Sequence, residues 1–338
     1  MFSGYMKGVN LGGWFSQCEY TQEHYDSFIT EADFVELSGW GLDHVRVPVD
    51  YNLVETEDGE YIESGFERIK GCIACCRKYG LNMILDLHKT YGYSFDEGEN
   101  QSGFFDNTDY QERFYRLWEQ FSTRFGSFSD MLSFELLNEV TDPACSDTWN
   151  RIAEECICRI RKICPDINIL VGGYWNNSVD AVKDLLPPHD RHVIYNFHCY
   201  EPLVFTHQGA YWVKGMPKDF RCSFDCTEGE MADLYRKLLP DVVDGFPAEQ
   251  HLQKLGAAYF IRLFEEAVRK AENEGTSLYC GEYGVIEHAA REDAEAWYRA
   301  IHEAFSKYGI GHAAWSYKKM DFDLLGKKMK YLFAEEKE

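Results

Sequence analysis

Short β-branched and apolar runs recur at 6–11, 44–49, 82–88, 132–138, 168–173, 193–200, 277–281 and 312–317. Segments with helical spacing lie between them at 30–38, 65–79, 110–125, 148–164, 250–274 and 291–308. Strands separated by helices cannot pair through tight hairpins, so they assemble in parallel. Eight of them are the number that closes an α/β TIM barrel, the (β/α)8 fold, which takes about 250 residues. The chain has 338. The excess falls in two segments, 89–110 and 201–250, and both follow the C-terminal end of a strand, where barrel enzymes keep their sites. The second carries Tyr211, Trp212, Phe220, Phe224 and a helical stretch at 228–239, too apolar for a linker. A small cap folded over the barrel mouth is expected there. With no Pro-, Gly- or Ser-rich divider, residues 1–338 read as one catalytic barrel domain containing that 201–250 cap.

The charge excludes several functions. Lys and Arg number 34 against 57 Asp and Glu, a formal net charge of −23. Such a surface repels phosphate backbones and anionic lipid, so nucleic acid and membranes are poor partners. No apolar run approaches the 18 or so residues that span a bilayer, and the first strand leaves no room for an export signal. Most of the 12 cysteines sit inside apolar periodic segments, where a thiol acts as a small hydrophobe. A reducing, cytoplasmic setting is expected, with secretion by a removed leader left open. Cys72 and Cys75 form a CxxC with no second pair of ligand spacing, and HExxH and phosphate-loop patterns are missing. No metal or other cofactor is expected.

If the top face holds the chemistry, the residues to weigh are the polar ones at strand ends. These are Asn10, Arg46, Asp86, His88, Asn138, Glu139, His198, Tyr200, Glu282, Trp315 and Tyr317. Two carboxylates on different strands, ringed by Arg, His, Tyr, Asn and Trp, suit glycoside hydrolysis, which needs one carboxyl protonated and another ionised. Glu139 ends an apolar strand. Strict alternation would turn Asn138 and Glu139 to opposite faces, so both reach a cleft only if the strand ends or bulges there. The plainer alternative is a Glu capping the next helix. Glu282 lies in Gly281-Glu282-Tyr283-Gly284, whose small residues admit a substrate to the backbone.

Arg46, inside an apolar strand, needs a carboxylate. Glu282 is the expected partner, the cation depressing its pKa and keeping it ionised; Asp43 and Asp86 are alternatives. His198 and Tyr200 share a strand face, as do Asp86 and His88, although a lone barrel histidine is often just core. Tyr200 is expected to donate to the Glu282 carboxylate. Trp315 offers a flat face for a sugar ring, or else packs in the core. Trp14, Tyr91, Tyr93, Phe104, Phe105, Trp175, Tyr211 and Trp212 are expected in top-face loops, Trp14 and Trp212 as sugar contacts.

Together, Gly8-Val9-Asn10-Leu11-Gly12-Gly13-Trp14, His44-Val45-Arg46-Val47-Pro48, Leu136-Leu137-Asn138-Glu139, Asn196-Phe197-His198-Cys199-Tyr200, Gly281-Glu282-Tyr283-Gly284 and Ala314-Trp315-Ser316-Tyr317 resemble glycoside hydrolase family 5. Within it they are similar to the clostridial cellulase C type of endoglucanase. The resemblance implies a retaining enzyme with Glu139 as acid/base and Glu282 as nucleophile. It makes Arg46, His88, Asn138, His198, Tyr200 and Trp315 supporting residues, with Asn138 on the sugar 2-hydroxyl. The opening Asn-Leu-Gly-Gly-Trp is shared with exo-1,3-glucanases of the family, so linkage stays open.

The expected function is therefore endo cleavage of β-1,4 or mixed-linkage β-1,3-1,4-glucan by a monomer. An exo-β-1,3-glucanase, a mannanase, a non-catalytic glucan-binding barrel and a metal-dependent barrel hydrolase are the alternatives.

Overall fold

The computed structural model describes residues 2–96, 102–242, 245–324, 326 and 328–333. Eight parallel strands close a barrel in chain order: β1 (Lys7–Asn10), β2 (His44–Asp50), β3 (Asn82–Lys89), β4 (Leu132–Glu135), β5 (Asn168–Gly172), β6 (Val193–Cys199), β7 (Leu278–Tyr283) and β8 (Gly311–Ala314). β1 completes the ring by pairing with both β2 and β8.

Alternation along each strand sorts side chains into two environments. On β3, Met83, Leu85 and Leu87 join the large core under the helices. Their neighbours Ile84, Asp86 and His88 take the opposite parity and face the barrel interior. That interior is layered. An apolar floor of Phe2, Tyr5, Ile84, Leu170, Ile194, Tyr279 and Ala313 fills the bottom, and polar side chains stand above it toward the strand C-termini.

The helices that cover the strands are Glu31–Ser38, Glu63–Lys78, Thr108–Phe125, Ser146–Ile163, Ala257–Glu274 and Arg291–Tyr308. Helix Ser146–Ile163 buries Trp149, Ile152, Ala153, Cys156, Ile157 and Ile160, the i, i+3, i+4, i+7 stripe that a helix lays on a sheet. Between β5 and β6 a short turn, Tyr174–Asn177, and a 3-10 segment, Val179–Asp184, take the place of a long helix.

One boundary is corrected. The helix expected from 250 begins only at Ala257. The residues before it spend their backbone groups on the inserted segment, with Glu228 N–H donating to Gln253 and Leu255 N–H to Cys226. The insert itself, with helix Glu228–Leu238, leans on the barrel's flank. Glu228 pairs with Arg262, Phe246 stacks on Tyr259 at 5.2 Å, and Ser223 Oγ donates to Asp293 at 2.7 Å. The stretch around His207 and Trp212 is what reaches the mouth.

All 12 cysteines are free thiols. Among the described residues, no helix is long and apolar enough to cross a membrane.

Candidate active site

Arg46 rises from β2 into the barrel axis, fully buried, and all of its donors are engaged. Nε and Nη2 grip Glu135 of β4 at 2.7 and 2.8 Å, in the two-pronged geometry of a guanidinium on a carboxylate. Nη1 donates to Glu282 Oε1 at 2.8 Å and Asn10 Oδ1 at 2.9 Å. Nη2 also reaches Asn138 Oδ1 at 2.9 Å and Asp86 Oδ2 at 3.0 Å. Both the expected partner and one alternative, Asp86, therefore meet Arg46. Asp43 instead pairs with His44 at 2.6 Å.

Glu135 was legible only as part of an apolar strand. Its signal is parity: in Leu132-Ser133-Phe134-Glu135-Leu136 the polar residues occupy alternate positions and so face inward.

β4 ends at Glu135, and the chain leaves the sheet before Asn138 and Glu139. Glu139 has φ +30°, a left-handed conformation rare for a side-chain-bearing residue. Tyr93 holds this turn, donating its hydroxyl to the Glu139 carbonyl at 2.6 Å and accepting from Thr141 N–H at 2.9 Å. Adjacent residues thereby both face the cleft, as strand termination allows.

Glu139 Oε1 lies 2.9 Å from His198 Nδ1, and Oε2 accepts from Asn176 Nδ2 at 2.8 Å. Asn176 itself sits at φ +56°, between Trp175 and Asn177 in the same left-handed region. Asn is the side-chain-bearing residue most at ease there. Nothing in the spacing pointed to Asn176.

Glu282, on β7, accepts from Tyr200 at Oε2, 2.8 Å, as expected. His198 Nδ1 is 3.7 Å from the same oxygen. The nearest donor atoms of Glu139, His198 and Glu282 all lie within 4.8 Å of one another.

Burial pushes both carboxyls up to about 7. Arg46, Tyr200 and His198 oppose it at Glu282; Asn176 and Arg46 oppose it at Glu139. Arg46 lowers Glu282 as expected, yet the net shift is upward. Desolvation outweighs a guanidinium whose charge is shared with Glu135 and Asp86. Asp86 is raised to about 7 by the same burial, while burial lowers His198 to about 4. One cation among four buried carboxyls leaves protons on the cluster at neutral pH.

His88 Nδ1 is 2.5 Å from Asp86 Oδ2, and its ring lies parallel to Trp315, centroids 5.7 Å apart. Trp315 rests against Gly12, where a Cβ would stand 2.9 Å from the indole. Asn138, with Oδ1 fixed by Arg46, keeps a buried Nδ2 that no atom of the described residues accepts from.

Trp212 lies at the rim, 39% exposed, its ring 6.0 Å from His207, which is 5.2 Å from Tyr200. Trp175 and Tyr211 are exposed as well. Trp14 is placed elsewhere than expected. Gly13 turns the chain at φ +76°, and the indole points into the core, stacked on Phe15 at 3.9 Å with Nε1 donating to Tyr25 O at 2.9 Å. Tyr93 and Phe104 are buried too.

Glu139, His198 and Glu282 are spaced to hold a cation. Yet the carboxylate oxygens already accept from Arg46, Tyr200, Asn176 and His198, and a metal there would face the guanidinium. The donor set suits proton transfer.

Paired acidic groups at the C-terminal mouth of a parallel barrel suit glycoside hydrolysis. Residues 5–321 match the family model Cellulase (glycosyl hydrolase family 5), and the chain belongs to that family. Cellodextrinase A of Ruminococcus flavefaciens is 49% identical over 91% of this chain and 84% of its own. Endoglucanase C of Acetivibrio thermocellus is 36% identical over 96% and 94%. The Clostridioides difficile cellulose synthase subunit Z, at 24% identity, superposes with a TM-score of 0.77 over 97% and 98% of the two chains. Thermotoga maritima Cel5A with cellobiose, at 21% identity, gives 0.75 over 97% and 96%. These two structures share the fold. The protein is an endoglucanase- or cellodextrinase-type glycoside hydrolase acting on carbohydrate.

Proposed function

We propose that the enzyme hydrolyses β-1,4-linked or mixed-linkage β-1,3-1,4-glucan within the chain, as a monomer, with retention at the anomeric carbon. The observation that carries the retaining reading is the closeness of the carboxyls, one oxygen of Glu139 lying within 4.8 Å of one oxygen of Glu282. Retaining pairs stand about 5–5.5 Å apart, and inverting pairs need about 6.5–9.5 Å to admit a water.

Glu282 is the nucleophile. Arg46 and Tyr200 both donate to it and so favour its charged form. Glu139, bonded to neutral donors, keeps the proton of the pair. In the first step a Glu282 oxygen bonds to the anomeric carbon as the glycosidic C–O bond breaks, and Glu139 passes its proton to the departing oxygen. In the second, Glu139 takes a proton from water, the water oxygen bonds to the anomeric carbon, and Glu282 is released. The free Nδ2 of Asn138 is a buried donor suited to the sugar 2-hydroxyl, His88 and His198 to further hydroxyls. Trp315 offers the sugar a stacking face, and Trp212 a second one at the rim.

The relative named Cellodextrinase A supports soluble cello-oligosaccharides as substrates, and the one named Endoglucanase C supports internal cleavage. A solved neighbour holding mannotriose keeps mannan in the comparison. Products from barley glucan, carboxymethylcellulose, laminarin, mannan and cellopentaose test the reading. Fast loss of viscosity of barley glucan with oligosaccharide products is expected; glucose alone from laminarin would point to an exo-1,3 enzyme. Glu139→Gln and Glu282→Gln should each cut turnover by at least about 10²-fold with the fold intact.

A further inference from the structure

On the far side of the barrel, three side chains of different chemistry converge. Glu154 and Cys158 stand one turn apart on helix Ser146–Ile163, and His189 comes from the loop that leads into β6. His189 Nδ1 lies 2.7 Å from Glu154 Oε1 and 3.9 Å from Cys158 Sγ, and the sulfur is 3.7 Å from the same carboxylate oxygen. We propose that Glu154, Cys158 and His189 form a binding site for a zinc-class divalent cation that fastens the β5–β6 loop to this helix.

The donor set is a carboxylate oxygen, a thiolate and an imidazole nitrogen, the three ligand types that tetrahedral zinc takes. With metal bonds of about 2.0–2.3 Å, tetrahedral ligands lie about 3.3–3.6 Å from one another. The observed separations bracket that range. Opening the His189–Glu154 contact by about half an ångström would seat the ion, with water as the fourth ligand. Glutamate, thiolate and neutral imidazole bring two negative charges, which cancel those of a divalent cation.

The histidine is delivered from a braced segment. Pro187 and Pro188 precede it and fix their own φ. Asn150, one turn before Glu154 on the same helix face, donates to Asp184 O at 2.9 Å and accepts from Leu186 N–H at 3.4 Å. On the other side Arg161, from the same helix, holds Asp190 at 2.5 Å. The loop is therefore tied to the helix both before and after His189 without a metal, so binding orders little that is still free. A search for CxxC pairs and HExxH overlooks this arrangement, because its ligands are Glu-x3-Cys and a histidine 31 residues on.

The site lies at the end of β6 opposite His198 and Tyr200, so it should leave turnover unchanged. The test uses the whole chain, stripped of metal and reduced, titrated with Co²⁺ alone and separately with Zn²⁺ alone. The proposal expects one Co²⁺ per chain, with a thiolate-to-cobalt charge-transfer band that Zn²⁺ abolishes. It expects Cys158→Ser to lose the band, and His189→Ala and Glu154→Gln each to weaken binding at least tenfold, all three keeping wild-type turnover. It also expects Zn²⁺ to raise the melting temperature of the wild type and not of Cys158→Ser. No such band, or one of equal strength in Cys158→Ser, would show a surface ion pair only and overturn the proposal. Since the readouts are spectroscopic and thermal, failure here leaves the active-site reading untouched.

Discussion

Arg46 and Glu135 form a two-pronged ion pair in the barrel axis. Two of the guanidinium's nitrogens grip that carboxylate at 2.7 and 2.8 Å, and Glu282 receives a single hydrogen bond from the third. Glu135 is in turn held by Asn196 Nδ2 at 2.8 Å, so β2, β4 and β6 are tied through one buried ion pair. Glu135 positions the arginine that positions Glu282.

Replacing Glu135 by Gln should therefore destabilise the fold by about 3 kcal/mol, the low end for breaking a buried pair, because Asp86 and Glu282 still face the guanidinium. Denaturant unfolding measures this. Turnover should fall as well, since Arg46 is freed to turn. An unchanged unfolding midpoint would show that Glu282 and Asp86 suffice.

Tyr200→Phe removes a donor that favours the ionised form of Glu282. Its carboxyl should titrate at higher pH, so the acid limb of the kcat/KM profile should move upward. The maximum should drop about tenfold to a hundredfold, the worth of a hydrogen bond to a charged group. A fall in activity with an unmoved acid limb would mean the hydroxyl serves substrate binding.

Asn176→Gly keeps the left-handed backbone and deletes the amide that bonds Glu139. That bond lowers the Glu139 pKa from where burial alone would put it. Its loss should move the alkaline limb, where the acid loses its proton, to higher pH. A downward shift would contradict the assignment of Glu139 as the acid.

Asp86 provides a stability readout separate from catalysis. Burial raises its folded-state value to about 7 from an ordinary 3.8. A carboxyl raised on folding contributes stability that is fully present below its unfolded value and is lost as pH rises through the folded one. Asp86→Asn has no such loss. Its stability relative to wild type should therefore grow between about pH 4 and pH 7, by about 1.4 kcal/mol per pH unit at most. A difference independent of pH would place a full charge on Asp86 in the fold.

The eight strands were legible because their apolar runs are short and β-branched, and six intervening helices showed an amphipathic period. Boundaries shifted where tertiary contacts compete. β4 and β8 stop three residues before their apolar runs end, since Glu139 and Trp315 must leave the sheet to meet the cleft. Glu139, Glu282, Arg46, His198 and Tyr200 were found as polar residues at strand ends, and the structure brings them together. Trp14 misled because a loop tryptophan and a core tryptophan look alike until the turn at Gly13 is seen. Glu135 and Asn176 were missed for opposite reasons. The first hid in an apolar strand whose parity carried the signal, and the second depends on a left-handed turn that spacing does not encode. Burial of Glu282 was likewise invisible in a line of letters, and it outweighs the lowering that Arg46 supplies.

The central claim is that Glu282 attacks the anomeric carbon while Glu139 protonates the oxygen leaving it, the two carboxyls standing too close to admit an attacking water in the first step. Proton NMR of cellopentaose hydrolysis, followed before the product anomers equilibrate, tests it most directly. The account predicts that the β-anomer of the newly formed reducing end appears first. Initial appearance of the α-anomer would contradict it.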